Sequence, residues 1–164
     1  MLFQNILHKV ISGGQTGVDQ AALVAASQCD LETGGTMPKG FLTLDGPDPE
    51  FAKLFCLKEH VSSSYTWRTG LNVRHADATI RIASNFYSPG ERCTLRYLKA
   101  YMRPYLDIDI DEPLEPDKVA KWIADHDVKI LNVAGNSERS SPGIHETTIS
   151  YLRYIFRLLK TNNS

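Results

Sequence analysis

Val10-Ile11-Ser12-Gly13-Gly14-Gln15-Thr16-Gly17-Val18-Asp19-Gln20-Ala21-Ala22-Leu23-Val24-Ala25-Ala26-Ser27 reads as a strand, a glycine turn and a helix in succession. Val10-Ile11-Ser12 is a short β-rich run, and Val18, Ala21, Ala22 and Ala25 recur at helical spacing with side chains small enough for close packing on a sheet. Strand, turn and helix in that order open a βαβ unit. Glycine lets the turn approach a ligand without a Cβ in the way. The first N–H groups of the helix that follows lack intrahelical partners and sit at the positive end of its dipole. Gly13, Gly14, Gln15, Thr16 and Gly17, with Asp19 in the first helical turn, are therefore candidates for binding an anionic, phosphate-bearing ligand. The stretch lacks the Lys-Ser/Thr pair of a Walker A loop and the spacing of a dinucleotide fingerprint.

Outward from this unit, turn formers crowd residues 31–55, which predicts a long irregular excursion carrying Lys39. A helix is expected over 65–74, a strand over 78–83, a loop over 84–92, a helix over 93–101 and a strand over 105–110. Arg81 between Ile80 and Ile82 suggests a strand near an edge or an interface. Pro116 suits a first helical position, and Val119, Trp122 and Ile123 form an apolar stripe behind it. A strand over 128–133 and an amphipathic helix from Ile144 complete the pattern, with a frayed tail at 161–164. Strands alternating with helices predict an α/β fold, a Rossmann-like three-layer sandwich with a mainly parallel sheet, in a single domain over 1–164. Three loops then fall at strand carboxyl ends, at 13–19, 84–94 and 135–143, where such sheets bind ligands.

Each loop has its own chemistry. The third offers Gly135, Asn136, Ser137, Glu138, Arg139 and Gly143, with Ser140 and Ser141, beside a helix start. The second offers Gly90 and Thr94, although Glu91 would repel an anion unless it points away. Arg68, with Thr69 and Asn72 nearby, can clamp an oxyanion with its planar fork, and Lys39 can close over it. Each feature has an equally ordinary structural use, as a capped turn, a paired arginine or a solvated lysine. No catalytic residue is expected, since no nucleophile–base pair stands out, and the five histidines show no metal spacing. The acidic run at Asp107, Asp109, Asp111 and Glu112 reads as a solvated loop. A net charge of −1 supplies no field for a nucleic-acid backbone. No stretch is long enough to cross a membrane, and three scattered cysteines suit a reducing cytoplasm.

Ile11-Ser12-Gly13-Gly14-Gln15-Thr16-Gly17-Val18-Asp19, Pro38-Lys39-Gly40, Arg68-Thr69 with Asn72-Val73, Ala76-Asp77-Ala78-Thr79 and Leu131-Asn132-Val133-Ala134-Gly135 together resemble the molybdenum cofactor carrier protein family, from about Val10 to about Ile144. That family looks like a circularly permuted branch of the LOG and lysine-decarboxylase-like Rossmann proteins. The resemblance implies a homo-oligomer, dimer or tetramer, that carries molybdenum cofactor (molybdopterin) on the glycine loop and the 135–143 loop. The chain departs from the LOG enzymes in one place. Their P-G-G-x-G-T-x-x-E loop maps onto Pro89-Gly90-Glu91-Arg92-Cys93-Thr94 with Tyr97 at the acid position, and a phenol cannot replace a carboxylate there at neutral pH. Three readings stand: a carrier of molybdenum cofactor or a similar phosphorylated anion, a LOG-like nucleotide-processing enzyme or nucleotide sensor, and a scaffold with vestigial loops.

Overall fold

β1 (Lys9–Ile11) passes through the glycine turn into α1 (Val18–Gln28), which returns to β2 (Glu32–Gly34) lying parallel beside β1. These coordinates come from a computed structural model that describes residues 7–160, so the tail at 161–164 lies outside the described residues. The chain between β2 and the next long helix is more ordered than its turn formers suggest. β3 (Thr36–Met37), a 3-10 turn at Lys39–Phe41, the hairpin of β4 (Leu42–Thr43) and β5 (Gly46–Pro47), α2 (Pro49–Leu54) and β6 (Lys58–Glu59) replace the expected irregular excursion. Strands of two residues are too short to show any periodicity. The cap of α2 is a local signal: Asp48 accepts from the N–H of Phe51, with Pro49 in the first turn.

α3 (Tyr65–His75) leads to β7 (Ala78–Ala83), α4 (Pro89–Tyr101) and β8 (Tyr105–Asp109); α5 (Pro116–Asp125), β9 (Ile130–Gly135) and α6 (Ile144–Lys160) follow. The main sheet has five strands in the order β2-β1-β9-β7-β8, and every pairing is parallel. Last in sequence, β9 slots between β1 and β7, with Leu131 beside both Val10 and Ala78. That crossover sets the carboxyl ends of β1, β9 and β7 side by side, which is where an α/β sheet opens a crevice.

Two helical layers flank the sheet, one built from α1, α6 and α5 and the other from α3 and α4. The alanines of α1 let α6 approach closely, and Leu152, Ile155 and Phe156 of α6 are fully buried with Leu23, Ile80, Leu131 and Val133. Each such side chain contributes about 1.5–3 kcal/mol by leaving water.

Two expectations are refined. Arg81 lies near an edge but not on it, and is buried: β7 is paired with the edge strand β8. Its guanidinium is clamped by Asp107 on the edge strand β8, Nε to Oδ1 at 2.7 Å and Nη2 to Oδ2 at 2.6 Å. The acidic run therefore begins in a strand and supplies a structural partner. Helix α4 starts at Pro89 rather than at Cys93, because Ser88 caps it and accepts from the N–H of Glu91.

Candidate functional site

A cavity of about 400 Å³ opens where the loops after β1, β7 and β9 meet the N-terminal turns of α3 and α4. The size lies within the ordinary range for a small-molecule site. Gln15 and Asp19 come from the first loop and α1, Arg68 and Thr69 from α3, Gly90, Glu91 and Thr94 from α4, and Gly135 and Ser137 from β9 and its loop. Leu44, Tyr65 and Pro89 add an apolar wall.

The glycine turn is built by contacts to its neighbours. Gly17 has φ 86°, and a Cβ there would run into the backbone of Asn136 and Glu138. In return the Asn136 carbonyl accepts from the N–H of Val18 at 3.1 Å, so the first and third loops interlock. Gly13 leaves room for the Arg68 side chain, which lies where a Cβ would stand. The N–H groups of the turn face acceptors inside the protein: Gly14 donates to Ser12 Oγ, Gln15 to Asp19 Oδ2 at 3.3 Å, and Thr16 to Gln15 Oε1. The protein's own Asp19 carboxyl thus lies against the glycine turn.

Asp19 is 3% exposed, and burial pushes its pKa up, against the opposing pull of Arg68 and the backbone N–H groups around it. Arg68 is buried too, and its Nη1 stands 3.7 Å from Asp19 Oδ2, too far for a hydrogen bond, while donating to Thr69 Oγ1 at 3.2 Å. Its Nε has no hydrogen-bond partner. Glu91 is 5% exposed and makes no ion pair among the described residues. Burial first, then the charge of Asp19, push its pKa up to about 7. The cavity therefore holds two carboxyl groups that resist ionising and one arginine only loosely neutralised. No group of three or more His, Cys, Asp or Glu side chains placed to hold a metal ion occurs among the described residues.

The model of the circularly permuted YpsA SLOG family matches residues 10–156. The chain belongs to that family. A crystal structure at 1.45 Å of a protein from Syntrophus aciditrophicus, named "Putative molybdenum carrier protein", superposes with a TM-score of 0.82 at 34% identity, covering 92% of this chain and 95% of that one. No curated protein matches the chain. The Rossmann-like α/β fold and the carrier-family resemblance read from the motifs thus hold for this member of the permuted YpsA family.

Of the residues singled out in the sequence of this permuted YpsA protein, Gln15, Asp19, Arg68, Thr69, Gly90, Thr94, Gly135, Ser137 and Ser140 come together on the cavity wall. The others stand behind it. Gly13, Gly14, Thr16 and Gly17 shape the turn. Asn72 braces Thr36, accepting from its N–H at 2.9 Å and donating to its carbonyl at 3.0 Å. Asn136 accepts from the N–H groups of Ser84 and Asn85 and donates to the Asn85 carbonyl, fixing the loop after β7. Glu138 turns away to cap α6, accepting from the N–H groups of Gly143 and His145. Arg139 donates to the Leu44 carbonyl at 2.8 Å, and Gln15 Oε1 accepts from the Leu44 N–H at 2.9 Å. Together they tie the β4–β5 turn over the cavity. Lys39 is exposed on its 3-10 turn and does not line it.

Glu91, read in the sequence only as a charge that would repel an anion unless it points away, lines the cavity beside Asp19, and Tyr97 does not. Tyr97 packs against Gly70 and stacks on Tyr101 instead. The available signal was Ser88-Pro89, a cap followed by a first-turn proline, which places Glu91 in the opening turn of a helix at a strand carboxyl end.

Proposed function

We propose that the cavity binds a small phosphorylated heterocyclic ligand and shields it from solvent, with molybdenum cofactor as the ligand the carrier-named relative suggests. The observation that carries this reading is Arg68, a buried guanidinium whose nearest carboxylate lies beyond hydrogen-bond reach and whose Nε is unpartnered. A cation held in that way has capacity for an oxyanion, and the Ser88 and Ser137 hydroxyls stand on the same wall, while those of Thr69 and Thr94 already donate to the Tyr65 and Gly90 carbonyls. A metal-bearing ligand would be held through its organic part. The three cysteines are unpaired, which suits a reducing cytoplasm.

Titration of the purified protein with molybdenum cofactor, molybdate and inorganic phosphate tests the reading. Binding of the cofactor with protection from oxidative decay is the expected result; neither binding nor protection would sink it. One observation favours nucleotide processing or sensing as a second reading: Glu91, poised near neutrality beside Asp19, is suited to proton transfer. Incubation with a panel of nucleoside monophosphates, scored for released base, separates the two. Release would displace the carrier role.

A further inference from the structure

We infer that Glu91 selects the ligand: its carboxylate accepts the two adjacent N–H donors of a 2-amino-4-oxo pyrimidine edge, the edge shared by pterins and guanine. This rests on the binding reading above and names the class of ring that the site would take.

Glu91 is positioned with unusual care for a side chain that has no cation of its own. Its N–H is capped by Ser88 Oγ, and its carbonyl accepts from Arg81 Nη1 at 2.9 Å. Arg81 is itself locked by two bonds to Asp107, so the first turn of α4 is pinned to β7 and β8. The carboxyl delivered into the cavity has the Asn136 side chain as a hydrogen-bond partner and Asp19 as an unfavourable neighbour. Asp19 already has the N–H of Gln15 and the Arg68 guanidinium near it. Glu91 is therefore the carboxylate without a cation, and with one neutral partner its two oxygens keep room for further donors. A ligand anionic throughout would meet two acids and a single arginine. A ligand with an oxyanion at one end and hydrogen-bond donors at the other satisfies Arg68 and Glu91 together. An ammonium group would answer the charge of Glu91 but would leave unused the apolar wall of Leu44, Tyr65 and Pro89, which suits a flat ring. A carboxylate accepts a parallel pair of N–H donors through both oxygens, and such a pair is what the 2-amino-4-oxo edge presents.

The test compares ligands that differ at that edge. Wild-type protein is titrated with a pterin monophosphate and its 2-deamino counterpart, with GMP and IMP, and with inorganic phosphate. The amino-bearing member of at least one pair is expected to bind about 10- to 100-fold tighter than its partner, since hydrogen bonds to a charged group are of that strength. The pair that discriminates identifies the source as pterin or guanine nucleotide. Glu91→Gln is expected to collapse that ratio; where the variant does not fold, the wild-type comparison decides alone. Phosphate binding without discrimination in either pair overturns this inference and leaves the binding reading standing. Failure of every ligand to bind, phosphate included, overturns both.

Discussion

Arg68 and Gly13 are one feature seen from two residues, because the guanidinium occupies the space that a side chain at position 13 would need. The arginine is thereby held in a loose ion pair with Asp19, at 3.7 Å and without a hydrogen bond between them. Arg68→Met keeps much of the buried aliphatic volume and deletes the charge. Affinity for a phosphorylated ligand should fall about 10- to 100-fold, measured by calorimetric titration; an unchanged affinity would move the phosphate away from Arg68. Gly17 carries a different constraint. At φ 86° and against the Asn136 carbonyl, Gly17→Ala combines backbone strain with a steric clash. A loss of about 3 kcal/mol or failure to fold is expected in urea denaturation. Gly90→Ala is the matched control, because the space around its Cβ is open and the residue lies in the first turn of α4. It should be neutral or stabilise by up to ~1 kcal/mol.

Between elements, the Arg81–Asp107 pair joins an interior strand to an edge strand while also holding the first turn of α4. Asp107→Ala removes the counter-ion of a buried guanidinium, and because Asp107 itself is 38% exposed and water can partly replace it, the cost is about 1–3 kcal/mol. A fall in Tm of about 5 °C is expected by calorimetry; a change within a degree or two would mean that water or another acid takes over the arginine. This pair also shows where sequence reading stops. The strand over 78–83 is legible to the residue because its apolar run is bounded on both sides. An arginine inside it suggests a strand near an edge or an interface but not its partner, which stands 26 positions away on a neighbour that only the fold supplies. Helix α1 and the strand before it are legible for the same local reason, whereas the two-residue strands β3 to β6 carry no period to read. For the site, the three loops were identifiable as strand-end loops, so their convergence followed from a parallel sheet. Which side chains face inward was not: Glu138 turns to α6 and Asp19 folds back on the glycine turn because of contacts between segments distant in the chain. Glu91 was visible as a charge in the second loop, but its inward direction follows from the start of α4 at Pro89, four residues earlier than expected.

For the whole molecule, the two cavity carboxyls link stability to pH with the reverse of the usual carboxylate sign. Burial raises both pKa values, that of Glu91 from 4.5 to about 7. As pH rises through that window the unfolded chain gives up its Glu91 proton while the folded protein keeps it. Fewer protons are then bound in the unfolded state, so this contribution to stability declines between about 4.5 and about 7 and levels off above. The groups that face Glu91 set the size of the effect: Asp19 from α1 enlarges it, while Arg81 from β7 and Asn136 after β9 reduce it. Other carboxylates contribute their own slopes, so the informative quantity is the difference between wild type and Glu91→Gln. Melting temperatures of the two proteins across pH 4 to 8 should converge at the acidic end and separate toward neutrality, with the wild type the lower. A ligand that donates to the Glu91 carboxylate needs it ionised, so its affinity should climb through the same interval and plateau above about 7. Melting curves that run parallel over the whole range would mean that Glu91 titrates as an ordinary surface acid and that the cavity is wetter than its burial implies.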